Sequence, residues 1–419
     1  MNENTLPAFH FWDAWLRPSA GSDTLQWALL LAVASLIGYL CQRQLRMPKV
    51  VGYALAGTVA GLTGFASVAW PLQGPLLFLL ELGVSVVLFE CGGRITLRWF
   101  RHNPMVLVQS LLEAALTYAA VFFLLRWLEV PAIVATPLAL IAMSASPVVL
   151  ARVINDTRAV GPVTDRAMVL ATLSTLYALT LGSAKAQIFD RPAASLWNDI
   201  TPVLVVLGIS VMVAALLCLA MRLALQVMSP TSENTSILML ALIAAATTLT
   251  AQLGGTAPLA ALLGGMLLKQ LHPRPWAWPR QLGTASSLLT MLMFVLVSMA
   301  AAQAGWSASM MIVVMALIVA RLLAKALGVG LANMGSGASW QQALWVTGAM
   351  APMSAVALWI TSQFAQASSQ WSSAIASLAL PAILLMELAG AAIATAALRR
   401  AGECSPEKAA SSSTPSSGA

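Results

Sequence analysis

Charge is what this sequence has least of. Acidic and basic residues together make up 9% of its 419 positions, against 59% hydrophobic residues, with a mean hydropathy of +0.83. A soluble chain carries about 25% charged residues, so the composition excludes a soluble globular domain and reads as a polytopic membrane protein. Cysteine and histidine are equally sparse. Cys41, Cys91, Cys218 and Cys404 lack paired metal or redox spacing and read as packing thiols. His10, His102 and His272 fall in expected tails or loops, so no metal or other cofactor is anticipated. There is no Walker motif, no soluble nucleotide-binding domain and no catalytic constellation, which argues against an enzyme. The basic residues form no stripe with aromatics, which argues against a nucleic-acid partner. Residues 1–22 lack the basic start and apolar core of a signal peptide. Phe11, Trp12 and Trp15 among polar neighbours there fit a short interfacial segment instead.

Apolar runs of membrane-crossing length fall near 24–42, 50–69, 76–92, 105–125, 131–150, 167–184, 200–221, 236–253, 256–271, 284–303, 308–331, 340–363 and 374–398, thirteen in all. With the N-terminus outside, 18 of the 22 basic residues lie on the inner side, Arg321 and Lys325 counted among them; Arg17, Arg126, Lys185 and Arg191 lie outside. That asymmetry follows the positive-inside rule and places the C-terminus in the cytoplasm.

Two of these runs are interrupted. Span five carries Ser144-Ala145-Ser146-Pro147-Val148-Val149, and span twelve carries Gly348 to Val356 with Pro352 inside. Proline removes a backbone donor, and a broken helix at membrane depth persists only where protein or a water-filled cavity satisfies the freed groups. Span two (Gly52 to Gly61) likewise matches span nine (Ala257 to Met266) in its small residues. Each pair lies seven spans apart, so its members cross in opposite directions. Inverted halves with paired broken helices point to a transporter's binding site. The expected organisation is an interfacial segment at 1–22, a first six-helix repeat at 23–199, a linker helix at 200–221, a second six-helix repeat at 222–400 and a disordered tail at 401–419. The fold class is all-α, with about 13 transmembrane helices in two inverted repeats whose broken helices cross.

Ionisable residues inside spans default to a functional reading. They are Glu81, Glu90, Glu113, Arg321, Lys325 and Glu387. Arg321 and Lys325 share a helix face. Arg321 is the deeper and is expected to pair with Glu113; Lys325 either reaches the site or snorkels to the inner interface. Glu90, near the inner face, is read chiefly as structural, capping a helix end or pairing with a loop arginine, and secondarily as an ion-carrying candidate. Ser144, Ser146, Ser174 and Thr175 are expected to line a cavity, the alternative being helix–helix hydrogen bonding; Tyr177 is expected to hydrogen-bond in the same cavity, since an interface anchor fits poorly at mid-span.

Arg46-Met47-Pro48-Lys49-Val50-Val51-Gly52-Tyr53 through Gly57, Glu81 through Glu90, Ser144 to Val149, Gly254 to Leu267 and Ala324 to Val329 resemble, in order and spacing, the monovalent cation:proton antiporter superfamily, its Kef-type and sodium/proton exchanger branches above all. The resemblance covers roughly residues 25 to 398. It implies secondary antiport of a monovalent cation against protons, with Pro147, Pro352 and Ser354 as site residues in the two breaks, and a homodimer in the bilayer, here of a bacterial plasma membrane. It places Lys325 where a cation often pairs with the family's acid. Yet the sixth helix of the family carries that acid, and the corresponding positions here fall at Ser174 and Thr175; no Asp or Glu occurs between Asp165 and Asp190. The family's Arg-Gly-Glu-like run after the twelfth-helix proline is replaced by Met353-Ser354-Ala355. Glu113, Lys325 or Arg321 must then replace the acid, or transport is uncoupled from protons. Otherwise the same fold moves another solute, such as a small organic anion drawn to a net positive site, or serves as a non-transporting regulator.

Overall fold

Without water to satisfy them, backbone groups in apolar runs pair within their own segment, and among the described residues each such run forms helix over most of its length. The computed structural model describes residues 21–65, 68–189, 196–229, 232–271, 280–335, 337–353 and 355–404. In chain order the helices are α1 (Gly21–Gln44), α2 (Lys49–Thr63), α3 (Gly74–Gly92), α4 (Leu97–His102), α5 (Met105–Trp127), α6 (Ala132–Met143), α7 (Pro147–Thr157), α8 (Pro162–Gln187), α9 (Leu196–Val227), α10 (Glu233–Gln252), α11 (Ala257–Leu271), α12 (Arg280–Ala302), α13 (Ala308–Leu331), α14 (Trp340–Ala349), α15 (Ala355–Ala367) and α16 (Ser369–Arg400). Among the described residues, ten helical stretches are long and apolar enough to cross a membrane, the broken pair α6–α7 counted as one. The other expected spans coincide with the shorter α2 and α11 and with the broken pair α14–α15.

Several boundaries differ from expectation. The apolar run of the second span continues to residue 69, but α2 stops at Thr63 because Gly64 takes a left-handed conformation (φ 66) and returns its N–H to Ala60. The linker helix is longer than 200–221, extending over Leu196–Val227. Of the tail expected to be disordered from residue 401, residues 401–404 are described, and Glu403 is held against α8. Its carboxylate accepts from the N–H groups of Val163 (2.8 Å) and Thr164 (2.7 Å), the otherwise unpaired donors at the start of α8. The interfacial segment with Phe11, Trp12 and Trp15 lies outside the described residues.

The packing is reciprocal. α2 lies along α12, and α3 lies along α11. If α2 corresponds to α11 and α3 to α12, exchanging the halves turns one contact into the other. The contact of α5 with α13 maps onto itself, so these two helices meet where the halves are related. Glycine makes the seams close. A side chain added at Gly57 would come within 2.5 Å of the Val295 carbonyl, and one at Gly61 within 2.7 Å of the Met299 carbonyl. By contrast, nothing lies within 4 Å of a side chain added at Gly208 on α9. Gly57→Leu should therefore lower the melting temperature of detergent-solubilised protein, at a cost of about 1–3 kcal/mol for overpacking, while Gly208→Leu leaves it in place. Equal melting of the two variants would refute the close seam.

Candidate functional site

Both broken spans come apart where their sequences indicated. α6 ends at Met143 and α7 begins at Pro147, so the break lies at Ser144–Ser146, just before the proline; the proline itself occupies the first turn of α7, where its missing N–H costs nothing. Ser146 caps α7, its hydroxyl accepting from the Val149 N–H at 3.3 Å. In the second repeat, the break between α14 and α15 includes residues 350–353. The breaks touch directly: the Ser146 N–H donates to the Pro352 carbonyl at 3.0 Å. Ser354 lies outside the described residues.

Two half-helices end at this crossing, and the C-terminal carbonyls of a helix carry partial negative charge. α13 supplies the answering positive charges. The Arg321 guanidinium donates to Ala142 O (2.9 Å), Ser144 O (2.8 Å), Ala351 O (2.7 Å) and Pro352 O (3.4 Å). It is wholly buried, and it ties the two breaks together. The expected Arg321–Glu113 ion pair is not formed. Arg321 faces the crossing, and Glu113 instead meets Lys325 one turn further along α13.

Lys325 does not snorkel. Its side chain is 0% exposed, its Nζ contacts Glu113 Oε1, and a second bond reaches the Met143 carbonyl at 3.1 Å. Glu113 on α5 is also 0% exposed. Its other oxygen, Oε2, accepts from the Ser174 hydroxyl at 2.5 Å, and the Thr117 hydroxyl lies 3.4 Å from Oε1. Gly328 permits this meeting, since a side chain there would come within 2.8 Å of the Glu113 backbone nitrogen. The carboxylate thus projects from the fourth span onto a sixth-span position that lacks one.

The remaining candidates divide. Thr175 donates to the Ala145 carbonyl within the first break, and Tyr177 lies 3.0 Å from the Ser110 hydroxyl. Ser144 bonds back to Ile141 O at 2.7 Å. All four hydroxyl residues Ser144, Ser146, Ser174 and Thr175 are buried and bonded, Ser174 and Thr175 to neighbouring elements and Ser144 and Ser146 within their own broken span. Glu90 stands apart, 2.9 Å from Arg94 and 3.4 Å from the Ser286 hydroxyl. Glu81 and Glu387 also lie elsewhere, accepting from Trp359 Nε1 (3.0 Å) and the Ser298 hydroxyl (2.9 Å). Sequence reasoning missed Gln109 and Thr117; both are one helical turn from Glu113, and that spacing was the available signal. No group of three or more metal-ligating side chains is assembled among the described residues.

The chain matches the family of sodium/hydrogen exchanger transmembrane domains over residues 31–398. It is similar to two solved structures of the sodium proton antiporter MjNhaP1 from Methanocaldococcus jannaschii. The first, at pH 8, shares 14% identity over 90% of this chain and 98% of that one, with a TM-score of 0.68. The second, from electron microscopy, shares 16% identity over 92% and 99%, with a TM-score of 0.67. No curated protein sequence matches.

Proposed function

This chain belongs to the sodium/hydrogen exchanger transmembrane family, and from that membership we propose that it exchanges a monovalent cation for a proton, with Glu113 and Lys325 as the exchanging pair. The observation that carries the proposal is the placement of the Glu113 carboxylate, wholly buried, against Ser174 and Lys325 beside two crossed helix breaks. A hydroxyl ligates a cation but does not titrate near neutral pH, whereas a buried environment can bring a carboxylate or an amine into that range. Charge arithmetic supplies the coupling. Carboxylate and ammonium together are neutral; a monovalent cation on the carboxylate beside a neutral Lys325 amine is neutral too. One cation enters as one proton leaves the ammonium. Arg321 stays out of this balance because helix carbonyls hold it.

The anion reading requires an unbalanced positive charge at Lys325, and Glu113 removes it. As further parts of the proposal, α5–α8 and α13–α16 move as a transport body against α1–α3 and α10–α12, which form the dimer side, with α9 between them. The N-terminus lies outside and the C-terminus inside a bacterial plasma membrane, as the basic residues direct.

The test is proton movement in proteoliposomes on addition of sodium, potassium or lithium. The unaltered chain should give a cation-dependent signal, and Glu113→Gln should reduce it to that of empty liposomes. Adding Ser174→Asp to Glu113→Gln should restore it, since a carboxylate at 174 starts from a position 2.5 Å from the one removed. Full activity in Glu113→Gln alone would overturn the assignment.

A further inference from the structure

We infer that Gln109 is a cation ligand one helical turn from Glu113 and helps to select which cation is carried; the inference rests on the antiport reading above. Gln109 is 0% exposed, and its Nε2 donates to the Val329 carbonyl at 2.8 Å. A carbonyl can only accept, so the amide must present its nitrogen to Val329. Its orientation is thereby settled, and Oε1 is left without a hydrogen-bond partner among the described residues. Buried acceptors are rarely left so.

The position of this oxygen gives it a use. Gln109 and Glu113 are four residues apart on α5, Lys325 and Val329 four apart on α13, and in each case the spacing shares a face. Glu113 meets Lys325 and Gln109 meets Val329, so the two contacts are successive rungs of one antiparallel pair. The unpaired oxygen belongs to the rung beside the ion pair. Neutral carbonyl oxygens are the ligands with which proteins replace the hydration shell of a monovalent cation. Gln109 adds such an oxygen without adding charge, and therefore leaves the one-for-one exchange intact. At Glu113 itself, the Ser174 and Thr117 hydroxyl oxygens lie 2.5 and 3.4 Å from the carboxylate, so further neutral oxygens stand on the rung next to Gln109.

The experiment measures transport KM and kcat for sodium, potassium and lithium in proteoliposomes holding the full chain, Gln109→Met or Gln109→Asn. Methionine keeps the length and removes the oxygen; asparagine keeps the amide and withdraws it. Loss of one oxygen ligand should raise the cation KM about tenfold, move kcat less, and shift the order of preference among the three cations. Should Gln109→Met fail to fold, Gln109→Asn and cation-dependent melting in detergent, with choline chloride as control, decide the matter: the stabilisation by the preferred cation should shrink. Unchanged KM, preference and cation-dependent melting in a folded variant would overturn the inference and leave Gln109 as a brace for α13. Absence of any cation-dependent signal in the unaltered chain would overturn the antiport reading and this inference with it.

Discussion

Arg321→Met should leave little monodisperse protein after extraction. The substitution keeps volume and apolar stem but withdraws the guanidinium from the carbonyls of Ala142, Ser144, Ala351 and Pro352. Bonds from a charged donor are worth about 1.5–3 kcal/mol each. Lipid offers a buried carbonyl at a helix break no replacement donor, although Pro352 keeps the Ser146 N–H. The loss falls on both breaks at once and is expected to exceed that of any other single substitution in the chain. Arg321→Lys should be milder but still impaired, because an ammonium has three donors on one point while the guanidinium spreads five over a plane. Size-exclusion profiles of the two variants check this. A sharp, wild-type profile for Arg321→Met would show that the crossing holds without its cation.

Lys325→Ala should abolish transport and cost about 3–5 kcal/mol, the penalty for leaving one member of a buried pair behind. The distinguishing result concerns the double variant. Glu113→Gln combined with Lys325→Ala removes both charges, so it should melt higher than Lys325→Ala alone while remaining inactive. Melting in detergent beside the proteoliposome assay separates the two effects. If the double variant were the less stable, the carboxylate would have some other partner and the pair would not be the unit of charge. The comparison also separates Lys325 from Arg321, whose loss no change at Glu113 should relieve.

The breaks were legible because proline inside an apolar run removes a backbone donor that lipid cannot replace, and small hydroxyl residues beside it supply the missing partners. Both interruptions stand beside Pro147 and Pro352. The choice between Arg321 and Lys325 as partner for Glu113 was not legible. The two lie on one face of α13, and which of them meets α5 depends on how far the helices slide past each other. That register is set where Gly328 admits the Glu113 backbone, a contact between positions far apart in the chain. Depth alone favoured Arg321 and misled, because it ignored the carbonyls that a crossing exposes. Ser174 and Thr175 posed the same difficulty: adjacent residues on a helix differ by a large rotation, and only packing shows that 174 faces the carboxylate while 175 faces the break. The anchoring of Glu403 had no local signal, since its partners start a helix more than two hundred residues earlier.

The direct bond between Ser146 and Pro352, doubled by the four-way grip of Arg321, has a mechanical consequence. Two breaks fastened this way cannot be prised apart one at a time, and so neither can serve as a swinging door. They behave as a single pivot block. On the exchange proposed above, compliance is expected instead along the surfaces where α16 and α7 rest on α2, α3 and α12, with the load delivered to the pivot whole.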